Sequence, residues 1–151
     1  MEKKQPRSDP PDTQARSRSA ITLATPFECP VLSAGSLLAG ASRHEATVVV
    51  RLIGSADFTH SAQLDAFLMR VHAESVRLGV GLAVLDLRKL EFMNSSCLKS
   101  LTTWICAVAE LPEIDQYRFR FESNPSIHWQ SRSLHAVRNL APHLIDLEEA
   151  R

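Results

Sequence analysis

Glycine is scarce in this chain, with five residues in all, and the scarcity excludes a class of sites. Loops that bring backbone amides against a phosphate need several glycines within a short span. The nearest approach, Gly79-Val80-Gly81, follows a helical stretch and enters a strand, the reverse of a dinucleotide fingerprint. Cysteine is equally sparse. Cys29, Cys97 and Cys106 form no CxxC pair and no zinc spacing, so free thiols in a reducing compartment are expected. His128 and His135 make no HxxxH or HExxH pair, and no metal or other cofactor is expected. Excess charge of either sign is also missing. Lys plus Arg and Asp plus Glu number 17 each, which leaves no general field to attract nucleic acid or an anionic membrane. No apolar run reaches the ~18 residues of a membrane span. The basic stretch Met1 to Arg7 lacks the apolar core of a secretory signal. A cytoplasmic protein is the expectation.

What is present reads as one ordinary domain. The 151 residues, 44% hydrophobic and 23% charged, suffice for a core without disulfide or metal staples. The first 20 residues are rich in Pro, Ser, Arg and Asp, and residues 1–27 are expected to be a disordered tail before a domain over 28–151. Within that tail, Arg16-Ser17-Arg18-Ser19 has the composition of a kinase or anionic docking site, and composition alone favours plain solvated chain.

Periodicity then gives the element order. A first strand falls near Leu37 to Arg43, and the β-branched run Thr47 to Ile53 makes a second that Gly54 ends. Leu64, Phe67, Leu68, Val71 and Leu78 share one helical stripe, with Ser61 as the expected N-cap and Gly79 as the left-handed C-cap. Leu82 to Leu87 is a continuous apolar strand, suited to a central position. The second helix opens at Asn94 or Ser95, carries Leu98, Leu101, Ile105 and Val108 inward, and stops before Pro112. Tyr117 to Glu122 alternates aromatic and charged residues as a half-buried strand does. A third helix near Ser131 to Ala141 turns Leu134, Val137 and Leu140 inward, and Leu144 to Leu147 closes as a strand. Repeated strand–helix alternation implies crossovers and parallel pairing, with one starting hairpin that makes the sheet mixed.

Two segments in this order resemble a known family. Gly54-Ser55-Ala56-Asp57 follows the valine-rich strand, and Phe92-Met93-Asn94-Ser95-Ser96-Cys97-Leu98 opens the second helix. Together they are similar to the STAS pattern of anti-sigma-factor antagonists, over about Leu37 to Leu147. The resemblance implies an α/β fold, with a mixed β-sheet of four to five strands and helices packed mainly on one face. It implies a non-catalytic protein-binding regulator whose partners are an anti-sigma factor or serine kinase with an ATP-binding fold, and a serine phosphatase. The phosphorylated serine of the family falls on Ser95, with Ser96 as second choice. Asn94 replaces the family's Asp, and Cys97 replaces its usual Gly. The other use of the same fold is a constitutive scaffold or accessory subunit of a transporter or signalling complex.

The segment also has a physical reading of its own. Asn94 accepts from a backbone N–H of the first helical turn, and Ser95 then holds the first helical position with its hydroxyl near solvent. A phosphate there meets the positive end of the helix dipole. Asn-Ser-Ser is equally an ordinary helix cap. Ser96, Lys99, Thr103 and Glu110 are expected on the exposed side of the helix. With Asp57, Asn94 and Ser95, the residues Ser96, Lys99 and Thr103 make the candidate partner surface. Trp104 is expected between the two faces. Trp129 and Arg132, after the Asn124-Pro125 turn, form a second candidate patch. As an enzyme nucleophile or redox sensor, Cys97 has a helix start to lower its pKa, yet no His–carboxylate partner is placed by the sequence. Asp57 and Asp86 read as loop and strand-end residues rather than a catalytic pair.

Overall fold

The computed structural model describes residues 27, 29 and 31–149; all of the expected tail except Phe27 lies outside the described residues. The elements run β1 (Leu32–Ala34), β2 (Leu37–His44), β3 (Thr47–Ala56), α1 (Ser61–Leu78), β4 (Leu82–Met93), α2 (Ser95–Ala109), β5 (Arg118–Ser123), α3 (His128–Arg138) and β6 (Ile145–Glu149). One-turn 3-10 helices at Phe58–His60 and Glu113–Asp115 precede α1 and follow α2. The six strands form one sheet in sequence order, β1-β2-β3-β4-β5-β6. The first two pairings are antiparallel and the last three parallel. Each crossover from β3 onward steps to the next strand in the same direction, and a right-handed crossover repeated in one direction puts every helix on one face.

That single-sided arrangement explains the strand sequences. Val48, Val50 and Leu52 of β3, Ala83, Leu85 and Leu87 of β4, and Phe119 and Phe121 of β5 are buried under the helices. The residues between them, Arg51, Asp86, Arg88, Arg120 and Glu122, fall on the other face. Leu64, Leu68 and Val71 of α1, and Leu101, Ile105 and Val108 of α2, complete the core. Phe27 and Cys29 pack against its margin.

The sequence reading needs six corrections. Gly54 does not end β3, which continues to Ala56 because its pairing with β4 runs on through Ser55 and Ala56. The sheet has six strands rather than four to five, because the three-residue β1 pairs antiparallel with β2. Such a short edge strand leaves no periodicity to read. Strand β4 does not end at Leu87 but continues to Met93, since its pairing with β3 extends to Ala56↔Met93. Asp86 is therefore mid-strand. Ser61 is the first residue of α1 and not its cap, because Asp57 caps the preceding 3-10 turn instead. Leu140 lies beyond the end of α3 and is 53% exposed. Trp104 is wholly buried, because its indole N–H has an internal partner.

That partner belongs to a polar cluster inside the core. Trp104 Nε1–H donates to the Tyr117 oxygen at 2.8 Å, and the same oxygen lies 2.7 Å from His72 Nδ1. The phenol oxygen accepts from the indole and shares a second hydrogen bond with His72 Nδ1, whose direction follows the imidazole tautomer. The cluster ties α1, α2 and the start of β5 together. Burial pushes the Tyr117 phenol up and the His72 imidazole down.

Candidate functional site

The end of β3 and the end of β4 lie side by side, and their exits build the site. Gly54 turns the chain with φ of +99°, and a Cβ there would stand 2.0 Å from the Ser36 carbonyl oxygen. Only glycine permits that approach. Beyond it, the Asp57 carboxylate accepts from Thr59 N–H at 2.9 Å and from the Thr59 hydroxyl. These bonds, the hydroxyl first, hold its pKa below the usual carboxylate value. His60 Nδ1 accepts from Asp57 N–H at 3.1 Å, which closes a capping box. The 3.5 Å approach of that nitrogen to Asp57 Oδ1 is therefore not an ion pair, because Nδ1 is acting as acceptor.

The start of α2 is stitched to this loop. Asn94 N–H donates to Ala56 O at 2.9 Å, and Cys97 Sγ donates to Asp57 O at 3.2 Å. Asn94 is extended, and its Oδ1 accepts from Cys97 N–H at 3.1 Å, so it is the N-cap of α2. Ser95 and Ser96 follow as the first two helical residues, both exposed. Along the helix, Lys99 and Thr103 are exposed while Leu101, Trp104, Ile105 and Val108 face the core. Ser96, Lys99 and Thr103 line a hollow of about 320 Å³ with Ser61, Ala62 and Asp65 of α1. The fold thus brings Asp57, Asn94, Ser95, Ser96, Lys99 and Thr103 onto one continuous surface.

Two exposed aromatics were not read from the sequence as part of it. Phe58, next to Asp57, is 70% exposed, and Phe92, two residues before Asn94, is 48% exposed. An alternating strand would have buried one of Glu91 and Phe92. An irregularity between Gly54↔Leu90 and Ser55↔Phe92 puts one extra residue in β4, and both side chains are exposed. That shift has no sequence signature.

Cys97 is not the activated thiol that its position at a helix start suggested. It is fully buried, and burial together with the Asp57 charge raises its pKa. Its side chain is accommodated because it points into the core. Trp129 is occupied locally, with its indole N–H donating to Glu91 O at 3.0 Å, while Arg132 is exposed. Asp57 lies at the α2 end of the sheet and Asp86 sits mid-strand on the open face, paired with arginines, so the two do not form a carboxylate pair. Among the described residues, no group of three or more His, Cys, Asp or Glu side chains is arranged to hold a metal ion.

No family profile matches the chain. A search of curated proteins returns no match. Among solved structures, the chain is similar to an anti-sigma factor antagonist from Mycobacterium paratuberculosis, with a TM-score of 0.57 and 21% identity. The likeness covers 78% of this chain and 90% of that one. It establishes the fold: a mixed six-stranded sheet with three helices on one face, of the STAS type. No described helix is long and apolar enough to cross a membrane.

Proposed function

We propose that this chain is a non-catalytic regulator that binds other proteins through the start of α2, and that phosphorylation of Ser95 switches the binding. The observation that carries the reading is the placement of Ser95. It is exposed at the first helical position, behind the Asn94 cap and beside exposed Phe58 and Phe92. Aromatic side chains of this kind anchor protein interfaces, and Lys99, Thr103 and Asp57 supply a polar rim around them. A phosphate on Ser95 would sit at the positive end of the helix and add about two negative charges without disturbing the core. The partner class is an anti-sigma factor or a serine kinase with an ATP-binding fold, with a serine phosphatase to reset the switch. This assignment follows the fold likeness and the Asn94-Ser95-Ser96 segment.

The test is phosphopeptide and intact-mass analysis of protein isolated from its native cells, beside a Ser95→Ala control, with affinity capture of bound proteins. A phosphate lost in the control, with a kinase-fold protein recovered, supports the switch. An unmodified Ser95 across growth and stress conditions, with no such protein captured, overturns it.

One observation favours a second reading, a constitutive scaffold or accessory subunit of a transporter or signalling complex. Asn94 makes the cap bond with no carboxylate for a kinase to recognise. A stoichiometric complex that survives Ser95→Asp would select the scaffold, and one that dissociates would select the switch.

A further inference from the structure

The face of the sheet opposite the helices falls into two halves. Over β5 and β6 it is tiled by cross-strand ion pairs, Arg118–Asp146 at 3.0 Å and Arg120–Glu148 at 3.4 Å. Over β2 and β3 it is apolar, with Leu38 opposite Ile53 in register and Val49 on the same face. Val31 and Leu38 there are 68% and 43% exposed. Two adjoining hollows of about 320 Å³ and about 500 Å³ share Arg51 and Ile53 in their walls, and together they form a trough along this face from Val31 across to Asn124.

The trough is apolar at one end and cationic at the other. Between Arg51↔Asp86 and Ile53↔Lys89, β4 carries one residue more than β3. This bulge leaves Arg88 and Lys89, consecutive in sequence, both exposed and both lining the trough beside Arg51. Asp86, only 8% exposed, braces the arginines. It accepts from Arg88 Nε and Nη2 at 2.8 Å each and lies 3.4 Å from Arg51 Nε. Glu122 approaches Arg88 at 4.0 Å. Three cations against two carboxylates leave the end of the trough positive.

Gly40 stands on the floor, opposite Arg51 in register. A Cβ there would meet nothing within 4 Å, and its φ is not in the left-handed region, so neither packing nor backbone conformation calls for glycine. A glycine inside a strand goes with a bulge, a tight bend or the close approach of a ligand or another backbone, and β2 pairs with β3 here without a bulge.

We propose that this trough binds a small amphipathic organic anion, with its charged head at Arg51, Arg88 and Lys89 and its apolar body over Gly40 along Leu38, Val49 and Ile53. Carboxylate and phosphate heads are both matched by guanidinium N–H groups, those of Arg51 and those of Arg88 that Asp86 does not take, and by the Lys89 ammonium. The volume is that of a small-molecule site. The site is separate from the Ser95 surface, and its test does not depend on the function proposed there.

The experiment is residue-resolved NMR titration of the full chain with decanoate, with decanol and with inorganic phosphate. Decanoate is expected to move the amides of Leu38 to Ser42, Val49 to Ile53 and Arg88 saturably. Decanol, which lacks the charge, and phosphate, which lacks the tail, are each expected to bind at least about tenfold more weakly. Gly40→Leu should weaken decanoate binding by about tenfold or more while the thermal midpoint holds or rises, because it fills the trough and improves strand propensity. Lys89→Gln, which breaks none of the Asp86 contacts, should weaken decanoate but not decanol. Absence of saturable shifts, equal affinity for decanol, shifts on another face, or decanoate binding indifferent to Gly40→Leu would each overturn the proposal.

Discussion

At the scale of single residues, the cap of α2 and the left-handed Gly54 near the end of β3 do most to fix the candidate site. Asn94→Ala removes the acceptor for Cys97 N–H and should lower stability by about 1 kcal/mol in urea denaturation. Asn94→Asp keeps an acceptor and should restore it. Gly54→Ala forces a Cβ against the Ser36 carbonyl and should cost about 2 kcal/mol or more, measured the same way. His72 makes a pH-dependent prediction. Burial holds its pKa below 6.5, so the unfolded chain takes up the proton first as pH falls. Its contribution is intact above about pH 6.5 and is lost as pH drops below that value. Urea midpoints measured from about pH 8 to 5.5 should fall, and His72→Asn should remove that part of the slope. Asn94 was legible in the sequence because a capping residue before an apolar stripe is a local signal. The His72–Tyr117–Trp104 cluster was not legible, because its members come from three elements separated by 45 and 13 residues.

Among the elements, β4 is the one whose course was least legible. The apolar run to Leu87 is a plain strand signal, but Arg88 to Met93 extends past the last β5 partner, at Asp86↔Glu122. Side chains near the start of α3 stand in for that missing neighbour. Buried Gln130 donates to Leu87 O at 2.6 Å and to Leu90 O at 3.0 Å, while accepting from Asn124 N–H at 2.8 Å. Asn124 reaches Arg88 O, and Trp129 reaches Glu91 O. Nothing near Arg88 in sequence announces these contacts, since the groups that make them lie more than thirty residues downstream. Gln130→Leu would strand two buried carbonyls and one amide, at a cost of about 3 kcal/mol. It should also loosen β4 where the bulge presents Arg88 and Lys89. Hydrogen exchange at Leu90 to Met93, expected to accelerate in the variant more than exchange at Leu82 to Leu85, checks this.

For the whole molecule, the α/β alternation and the parallel pairing were visible because each crossover helix carries its own stripe. The one-sidedness follows from the direction in which successive strands are added. What patterning could not supply was the division of the open face into a tiled half and a trough, which depends on register between strands. Asp86 adds a second acid-sensitive element on that face. Its pKa is depressed chiefly by the hydrogen bond from Arg88, so its contribution is present above its unfolded value of 3.8 and lost below it. Acid unfolding followed by circular dichroism should therefore show a further loss of stability below about pH 4, reduced in an Asp86→Asn variant.

Sequence-ordered strands also bear on how the chain is made. Every strand after the first lays down beside the one synthesised just before it, so the sheet grows at one edge as the polypeptide leaves the ribosome. Among the described strands, none must wait for a distant partner or be inserted between two already paired. The last docking event is the arrival of β6 on β5, carrying Asp146 and Glu148 to their arginines. A nascent chain stalled before β6 should hold β1 to β4 and their two helices in a protease-resistant state, with β5 as its exposed growing edge.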